Sequence, residues 1–169
     1  MTSSAASVIG LDLGGTKIAI ARFELPSMIR RELVVIPTDA HKGFDDVLKR
    51  VFAELEKLIT PHTKAIGIGV PGPIDRHTGT VLVMPNIPGA QGQPLKKLFE
   101  DRFRLPANIE NDSNCFAFAE AVTGAGKGQP VVVGITIGTG VGGGIVVDGA
   151  LFRGAHGYAG EVGHMLLMP

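Results

Sequence analysis

Two glycine-rich segments, each directly after an apolar run, constrain this chain more than any other feature. The first reads Gly-Leu-Asp-Leu-Gly-Gly-Thr-Lys over Gly10–Lys17, and the second reads Gly-Thr-Gly-Val-Gly-Gly-Gly over Gly138–Gly144. Glycine has no Cβ, so its backbone N–H groups can approach an anion closely, and it adopts positive φ without a clash. Two such segments far apart in the sequence indicate two turns that hold one polyphosphate.

Neither segment fits a motif in which the glycines open a helix. The spacing of a Walker loop is absent around Lys17, and the alternating run over 18–23 predicts a strand. The second segment contains the letters of a dinucleotide fingerprint, but the apolar run over 145–147 and the turn pair Asp148-Gly149 predict another strand. We therefore predict strand, turn and strand at both places. A pair of ordinary hairpin turns is the alternative.

Composition restricts the classes of function. The chain has 24 glycines and is 44% hydrophobic, which favours an α/β protein with many tight turns. Sixteen basic and sixteen acidic residues cancel, so we expect no nucleic-acid partner. The one cysteine, Cys115, excludes an internal disulfide framework. Residues 1–7 lack the features of a signal peptide, and no apolar run is long enough to span a membrane. We expect a cytoplasmic protein with no membrane partner.

Hydrophobic periodicity predicts an α/β order of elements. Strands are predicted near 8–13, 17–24, 31–37, 65–70, 80–84, 131–137 and 145–147, and helices over 44–59, 95–103 and 113–122. The glycine-rich stretch before Pro130 predicts a linker. The predicted organisation is an N-terminal α/β domain over 1–124, a linker over 125–130 and the start of a truncated second α/β domain over 131–169.

Five motifs, taken in order, resemble the ROK family of sugar kinases: Asp12–Lys17, Gly69–Gly72, Asn111–Cys115, Gly138–Gly144 and Gly160–His164. Within that family the sequences of these motifs most resemble those of bacterial N-acetylglucosamine kinases. The resemblance implies an α/β, actin/hexokinase-like (ribonuclease H-like) ATPase fold, here as the first domain plus the opening hairpin of the second. It implies transfer of phosphate from ATP to the 6-hydroxyl of N-acetyl-D-glucosamine. A glucokinase or fructokinase of the family, or a non-catalytic sugar-binding or regulatory member, is the alternative.

The resemblance also assigns roles to residues. Asp112 would be the base that accepts the proton of the attacking sugar hydroxyl, since a carboxylate at a helix N-terminus is held and favourably charged. An N-cap is the alternative role for Asp112. Asp12 would hold Mg²⁺ through water. The cofactor-binding residues would be Gly10, Asp12, Gly14, Gly15, Thr16, Lys17, Gly138, Thr139, Gly140, Gly142 and Gly143. The sugar-binding residues would be Asn86, Asn111, Asp112, Glu161 and His164.

In the family, the residue equivalent to His164 also binds structural Zn²⁺ beside three cysteines. Those cysteines are absent here, and Cys115 belongs to another motif. One ligand does not make a tetrahedral site, so the resemblance implies zinc only in a longer parent protein.

The resemblance further implies that this chain is part of a longer protein. We expect weak or no kinase activity from it alone, and a homodimer formed through its uncovered strands. Repressors of the family carry a DNA-binding module before the first glycine motif. Nine residues precede Gly10 here, too few for such a module, so we expect a kinase rather than a repressor.

Overall fold

The computed structural model describes residues 5–138 and 140–166. Contacts within the chain divide it into two compact units, one ending at Glu110 and the other beginning at Asn111. In the described residues, no helix has both the length and the apolar character needed to cross a membrane.

The first unit is built on a five-stranded sheet. Its strands follow the order β3-β2-β1-β4-β7, and a two-stranded hairpin joins β5 to β6. Strand β2 lies antiparallel to both β1 and β3, whereas β4 lies parallel to β1. The bounds are β1 Ser7–Leu13, β2 Lys17–Glu24, β3 Ile29–Pro37, β4 Thr63–Val70, β5 Ile74–Asp75, β6 Thr80–Val81 and β7 Ala107–Asn111.

Helices α1 (Phe44–Leu58) and α2 (Leu95–Phe103) contribute to the core of this unit. Alternate residues of a strand face opposite sides of a sheet, and the buried residues of β1 follow that period of two. Helix α1 buries five apolar residues at helical spacing and carries two acidic residues in its first turn, where the helix dipole favours them. Phe52 packs edge-to-face on both Phe99 and Phe103, with centroid distances of 5.1 and 5.2 Å.

The second unit consists of one helix on a three-stranded antiparallel sheet of order β10-β9-β8. The elements are α3 Asp112–Val122, β8 Val131–Ile137, β9 Val141–Val147, β10 Ala150–Phe152 and a 3₁₀ turn over Val162–His164. The predicted turn at Asp148-Gly149 is confirmed, with φ of 48° and 76° at the two residues, as a tight hairpin requires.

Most predicted elements are present, and two strands differ from their predicted length by three residues or more. Strand β6 ends at Val81 rather than near residue 84, because the prolines at 71 and 73 leave β5 only two residues for it to pair with. Strand β9 begins at Val141 rather than 145, because residues 141–144 already pair with residues 134–137 of β8.

The division into units also differs from the predicted domain bounds. Helix α3, predicted to end the first domain, packs on β8 and β9 and so belongs to the second unit. The stretch over 125–130 lies within that unit as a series of turns between α3 and β8. The domain bounds 1–124 and 131–169, with a linker over 125–130, remain a prediction for this chain.

Candidate functional site

The first glycine-rich segment forms a tight connection between β1 and β2. Strand β1 ends at Leu13 and β2 begins at Lys17, so the turn consists of residues 14–16. A Cβ on Gly14 would lie 2.7 Å from the Lys17 carbonyl oxygen, and a Cβ on Gly15 would lie 3.0 Å from the Cβ of Asn86. Neither glycine is among the described residues with positive φ. Glycine is therefore required here for space, and the positive φ expected of such a turn is not found at Gly14 or Gly15.

The structure brings two predicted site residues to this turn. The side chain of Asn86, predicted to bind sugar, lies against Gly15 and is otherwise exposed. Asp12 is exposed on β1, one residue before the strand ends, between Ala19 of β2 and Gly69 of β4. Gly10 lies on the same face as Asp12, where a Cβ would be 3.2 Å from the ring of Phe23. Packing of this ring is thus a structural reason for Gly10.

The donor set fits Mg²⁺ but not Zn²⁺. In the described residues, no group of three or more His, Cys, Asp or Glu side chains is placed to hold a metal. Mg²⁺ is usually held by one or two carboxylates with water and substrate phosphates, so the exposed carboxylate of Asp12 suffices. A structural zinc site needs four nitrogen or sulfur ligands, and His164 alone supplies one.

Thr38, which no sequence motif indicated, binds the turn through two hydrogen bonds. Thr38, directly after β3, is buried; its Oγ1 donates to the Gly14 carbonyl at 2.6 Å and its N–H donates to the Thr16 carbonyl at 2.9 Å. The signal in the sequence is a polar residue directly after an apolar strand. Thr16 and Lys17 themselves are exposed.

In the second unit, the structure separates the roles of two neighbouring polar residues. Asn111 is the N-cap of α3, and its Oδ1 accepts from the N–H groups of Ser113 at 3.0 Å and Asn114 at 3.1 Å. Asp112 is the first residue of the helix rather than its cap. Asn111, and not Asp112, therefore serves as the N-cap.

The carboxylate of Asp112 is held through one oxygen. Its Oδ1 accepts from the Ser113 N–H at 2.6 Å and from the Ser113 Oγ at 3.2 Å. The Ser113 Oγ lies 3.3 Å from the Thr136 Oγ1 on β8. Among the described residues both bonds fall on Oδ1, which leaves Oδ2 for an incoming hydroxyl. A half-buried carboxylate fixed in this way at a helix N-terminus can accept a proton.

The glycines of the second segment divide into two groups. The Gly138 N–H donates to the Gly140 carbonyl at 2.9 Å, and a Cβ on either residue would meet nothing within 4 Å. A Cβ on Gly142 would meet the Ser113 Oγ, and a Cβ on Gly143 would lie 2.6 Å from the Gly160 carbonyl oxygen. The first pair is thus open at the hairpin end, whereas the strand glycines make room for α3 and for the last turn. Thr139 lies outside the described residues.

We expect Gly142→Ala to destabilise the second unit, because the new methyl group has to displace the Ser113 side chain. Overpacking of this kind costs about 1–3 kcal/mol of the free energy of unfolding. Gly140→Ala is the matched control, and we expect it to be nearly neutral. Urea denaturation followed by circular dichroism measures both; equal losses for the two variants would contradict this explanation of Gly142.

Glu161 and His164 share one turn of 3₁₀ helix. The His164 N–H donates to the Glu161 carbonyl at 3.1 Å, and residues three apart are eclipsed in such a turn. Glu161 is half-buried and His164 is exposed. The two residues therefore lie on the same side of this turn.

Comparison with known proteins identifies the family. The ROK family profile matches residues 8–169. The chain belongs to the ROK family. An N-acetyl-D-glucosamine kinase of Vibrio atlanticus is 40% identical over 159 residues, which are 94% of this chain and 52% of that protein. The ROK glucokinase of Streptomyces griseus, solved with glucose and AMPPNP, has a TM-score of 0.84 at 36% identity over 97% of this chain and 52% of that one.

A ROK family transcriptional regulator is also similar, with a TM-score of 0.83 at 28% identity over 98% of this chain and 43% of that one. These likenesses confirm the predicted actin/hexokinase-like α/β fold. The chain spans about half the length of the curated relatives that it matches. The individual roles of the site residues remain predictions.

Proposed function

We propose that this chain is the nucleotide- and sugar-binding part of an ATP-dependent kinase that phosphorylates the 6-hydroxyl of N-acetyl-D-glucosamine. The observation that carries the proposal is the Asp112 carboxylate, which is fixed through Oδ1 at the N-terminus of α3 while Asn111 caps the helix. Because Asn111 already caps the helix, the Asp112 carboxylate is not needed as the cap.

Phosphoryl transfer asks a protein mainly to position the reactants and to stabilise charge. In the proposed reaction the sugar O6 attacks the γ-phosphorus, the bond from that phosphorus to the β,γ-bridging oxygen breaks, and ADP leaves. Oδ2 of Asp112 takes the proton of the sugar hydroxyl. Mg²⁺, held by Asp12 through water, would neutralise phosphate charge.

The two units have separate roles in this proposal. In the first unit, N–H groups of residues 14–17 bind phosphate, and glycine at 14 and 15 lets the anion come close. In the second unit, the segment of Gly138, Thr139 and Gly140 would also contact the phosphates. The sugar hydroxyls are recognised by side chains that both donate and accept hydrogen bonds, namely Asn86, Asn111, Asp112, Glu161 and His164.

The choice of sugar rests on the relatives. The similarity to an N-acetyl-D-glucosamine kinase at 40% identity supports that sugar, while the similarity to a glucokinase at 36% supports glucose as the alternative. The similarity to a transcriptional regulator supports a second candidate, a sugar-responsive protein without turnover. Turnover distinguishes that candidate from a kinase.

A kinase assay on a sugar panel tests the proposal. We define the completed chain as this chain followed by the C-terminal half of the Vibrio atlanticus relative, which is itself the positive control. With ATP and Mg²⁺, we expect kcat/KM for N-acetylglucosamine to exceed that for glucose, N-acetylmannosamine and fructose. Equal or higher kcat/KM for glucose would instead support the alternative that the protein is a glucokinase. Sugar binding without turnover, in a folded completed chain, would support the regulator.

We further propose that this chain forms a homodimer through one face of the three-stranded sheet in the second unit. On this face β8 exposes every second residue, and β9 and β10 add further apolar side chains. We call it the apolar face; its exposed residues are Val131, Val133, Ile135, Ile137, Val141 and Phe152. An uncharged edge strand beside an exposed apolar surface favours pairing with another chain.

The proposal has two further parts. The protein is cytoplasmic, where ATP is available. A longer protein of the same length as the relatives would also hold a structural Zn²⁺. Zinc would need cysteine ligands that this sequence does not contain. Dialysis of the Vibrio atlanticus relative and the completed chain against a chelator, followed by metal analysis, tests the zinc proposal.

A further inference from the structure

Thr38 fixes the direction of two peptide groups in the turn over residues 14–16. Its Oγ1 binds the Gly14 carbonyl at 2.6 Å, and its N–H binds the Thr16 carbonyl at 2.9 Å. In a planar trans peptide, the carbonyl and the N–H of the next residue point in opposite directions. The N–H groups of Gly15 and Lys17 therefore point away from Thr38.

Thr38 is in turn held by helix α1. Arg50 donates through Nη1 to the Pro37 carbonyl at 2.7 Å and through Nη2 to the Thr38 carbonyl. The Nε of Arg50 donates to Asp46 at 2.8 Å, four residues earlier on the same helix. Lys42 donates to Asp39 at 3.0 Å and lowers the pKa of that carboxyl, to which the nearby Arg50 also contributes. The segment over 37–39 is thus fixed on both sides.

We propose that Thr38 is a positioning residue, which aims the N–H groups of Gly15 and Lys17 at a phosphate of the bound nucleotide. Thr38 is fully buried and does not touch the nucleotide itself. It acts by holding the carbonyl groups on the far side of the turn, and Arg50 keeps Thr38 in place. The inference rests on the proposed function, because it names the ligand of this turn as a nucleotide phosphate.

The chain offers a conservative variant and a matched control. Thr38→Val removes the hydroxyl with little change in shape, and Thr38→Ser retains the hydroxyl. Thr63→Val removes another buried hydroxyl, one that accepts from the Thr60 N–H at 3.0 Å and lies 3.3 Å from the Ser7 Oγ. Ser7 begins β1, whereas the turn follows its last residue, so the control lies at the opposite end of that strand.

The experiment uses this chain as it is, labelled with ¹⁵N and titrated with Mg-ATP. In the wild type we expect the amide signals of Gly15 and Lys17 to shift on titration. Because a hydrogen bond typically contributes a factor of about five to an equilibrium constant, we expect Thr38→Val to raise the Kd for Mg-ATP about fivefold. For Thr38→Ser and Thr63→Val, the Kd for Mg-ATP should remain within about twofold of the wild-type value. Twofold is about the smallest effect expected from the loss of one hydrogen bond.

A second readout tests the mechanism directly. The amide of residue 38 donates to the turn, so its hydrogen exchange should accelerate in Thr38→Val and not in Thr63→Val, even where the two variants have lost similar stability to urea. Unchanged exchange at residue 38, a Thr63→Val effect on Mg-ATP as large as that of Thr38→Val, or unshifted Gly15 and Lys17 amides in the wild type would each overturn the inference.

Failure of the proposed function gives a different result. Mg-ATP binding that depends on the Thr38 hydroxyl, in a completed chain that phosphorylates no sugar, would support the positioning role and remove the kinase proposal.

Discussion

Asp112→Asn in the completed chain should lower kcat by about 10²–10⁴-fold, the usual effect of removing a general base. The amide keeps the size of the carboxylate, and its Oδ1 can still accept from the N–H and Oγ of Ser113. The helix start should persist because Asn111 caps it. The variant therefore retains the local structure and loses the proton acceptor. Steady-state kinetics with N-acetylglucosamine and ATP, together with calorimetric sugar binding, measures the change.

A control with the same chemical change lies in the same unit. Asp148 is exposed in the β9–β10 turn at a φ of 48°, a conformation that asparagine adopts readily, so Asp148→Asn should leave kcat near wild type. Sugar affinity should change much less than kcat in Asp112→Asn. A kcat within a few-fold of wild type for that variant would mean that Asp112 only helps to begin α3.

The apolar face should make this chain associate with itself, and charge on that face should prevent it. Ile137 is 84% exposed, and Val133 and Ile135 are 55% and 50% exposed on the same side of β8. Burial of a large apolar side chain contributes about 1.5–3 kcal/mol. We therefore expect the double variant Val133→Lys, Ile135→Lys to weaken the dimer by roughly a hundredfold or more. Sedimentation equilibrium over a range of concentrations measures this directly.

Leu82→Lys is the control for a general effect of added charge. Leu82 is 43% exposed and belongs to the first unit, not to the apolar face, so its substitution should leave the association unchanged. Circular dichroism shows whether each variant is folded. A wild-type chain that stays monomeric at every concentration, or a double variant that associates as the wild type does, would contradict the proposed role of the apolar face.

The local elements of this fold could be predicted from the sequence because their signals are local. Apolar residues recur at helical spacing through α1, and alternation marks β1 and β2, so these elements appear with bounds within a few residues. The rejection of a helix after each glycine-rich segment is confirmed, since β2 and β9 occupy those positions. Neighbouring residues suffice for such predictions.

Features that depend on distant residues could not be predicted in this way. Thr38 meets a turn 24 residues earlier in the sequence, and only the pairing of β2 with β3 brings them together. The strand glycines at 142 and 144 meet Ser113 and Ala117, so their reason lies in the packing of α3. That packing also places α3 in the second unit rather than the first. Sequence spacing carries no information about such contacts until the topology is known.

The most direct test of the kinase proposal is the product itself. The completed chain would be incubated with ATP, Mg²⁺ and N-acetylglucosamine and followed by ³¹P NMR. We predict a new phosphomonoester signal whose phosphorus couples to the two protons on C6, with one ADP formed for each ester. ATP hydrolysed to inorganic phosphate without ester, or no ATP consumed by a folded completed chain while the Vibrio atlanticus relative turns over, would contradict the proposal.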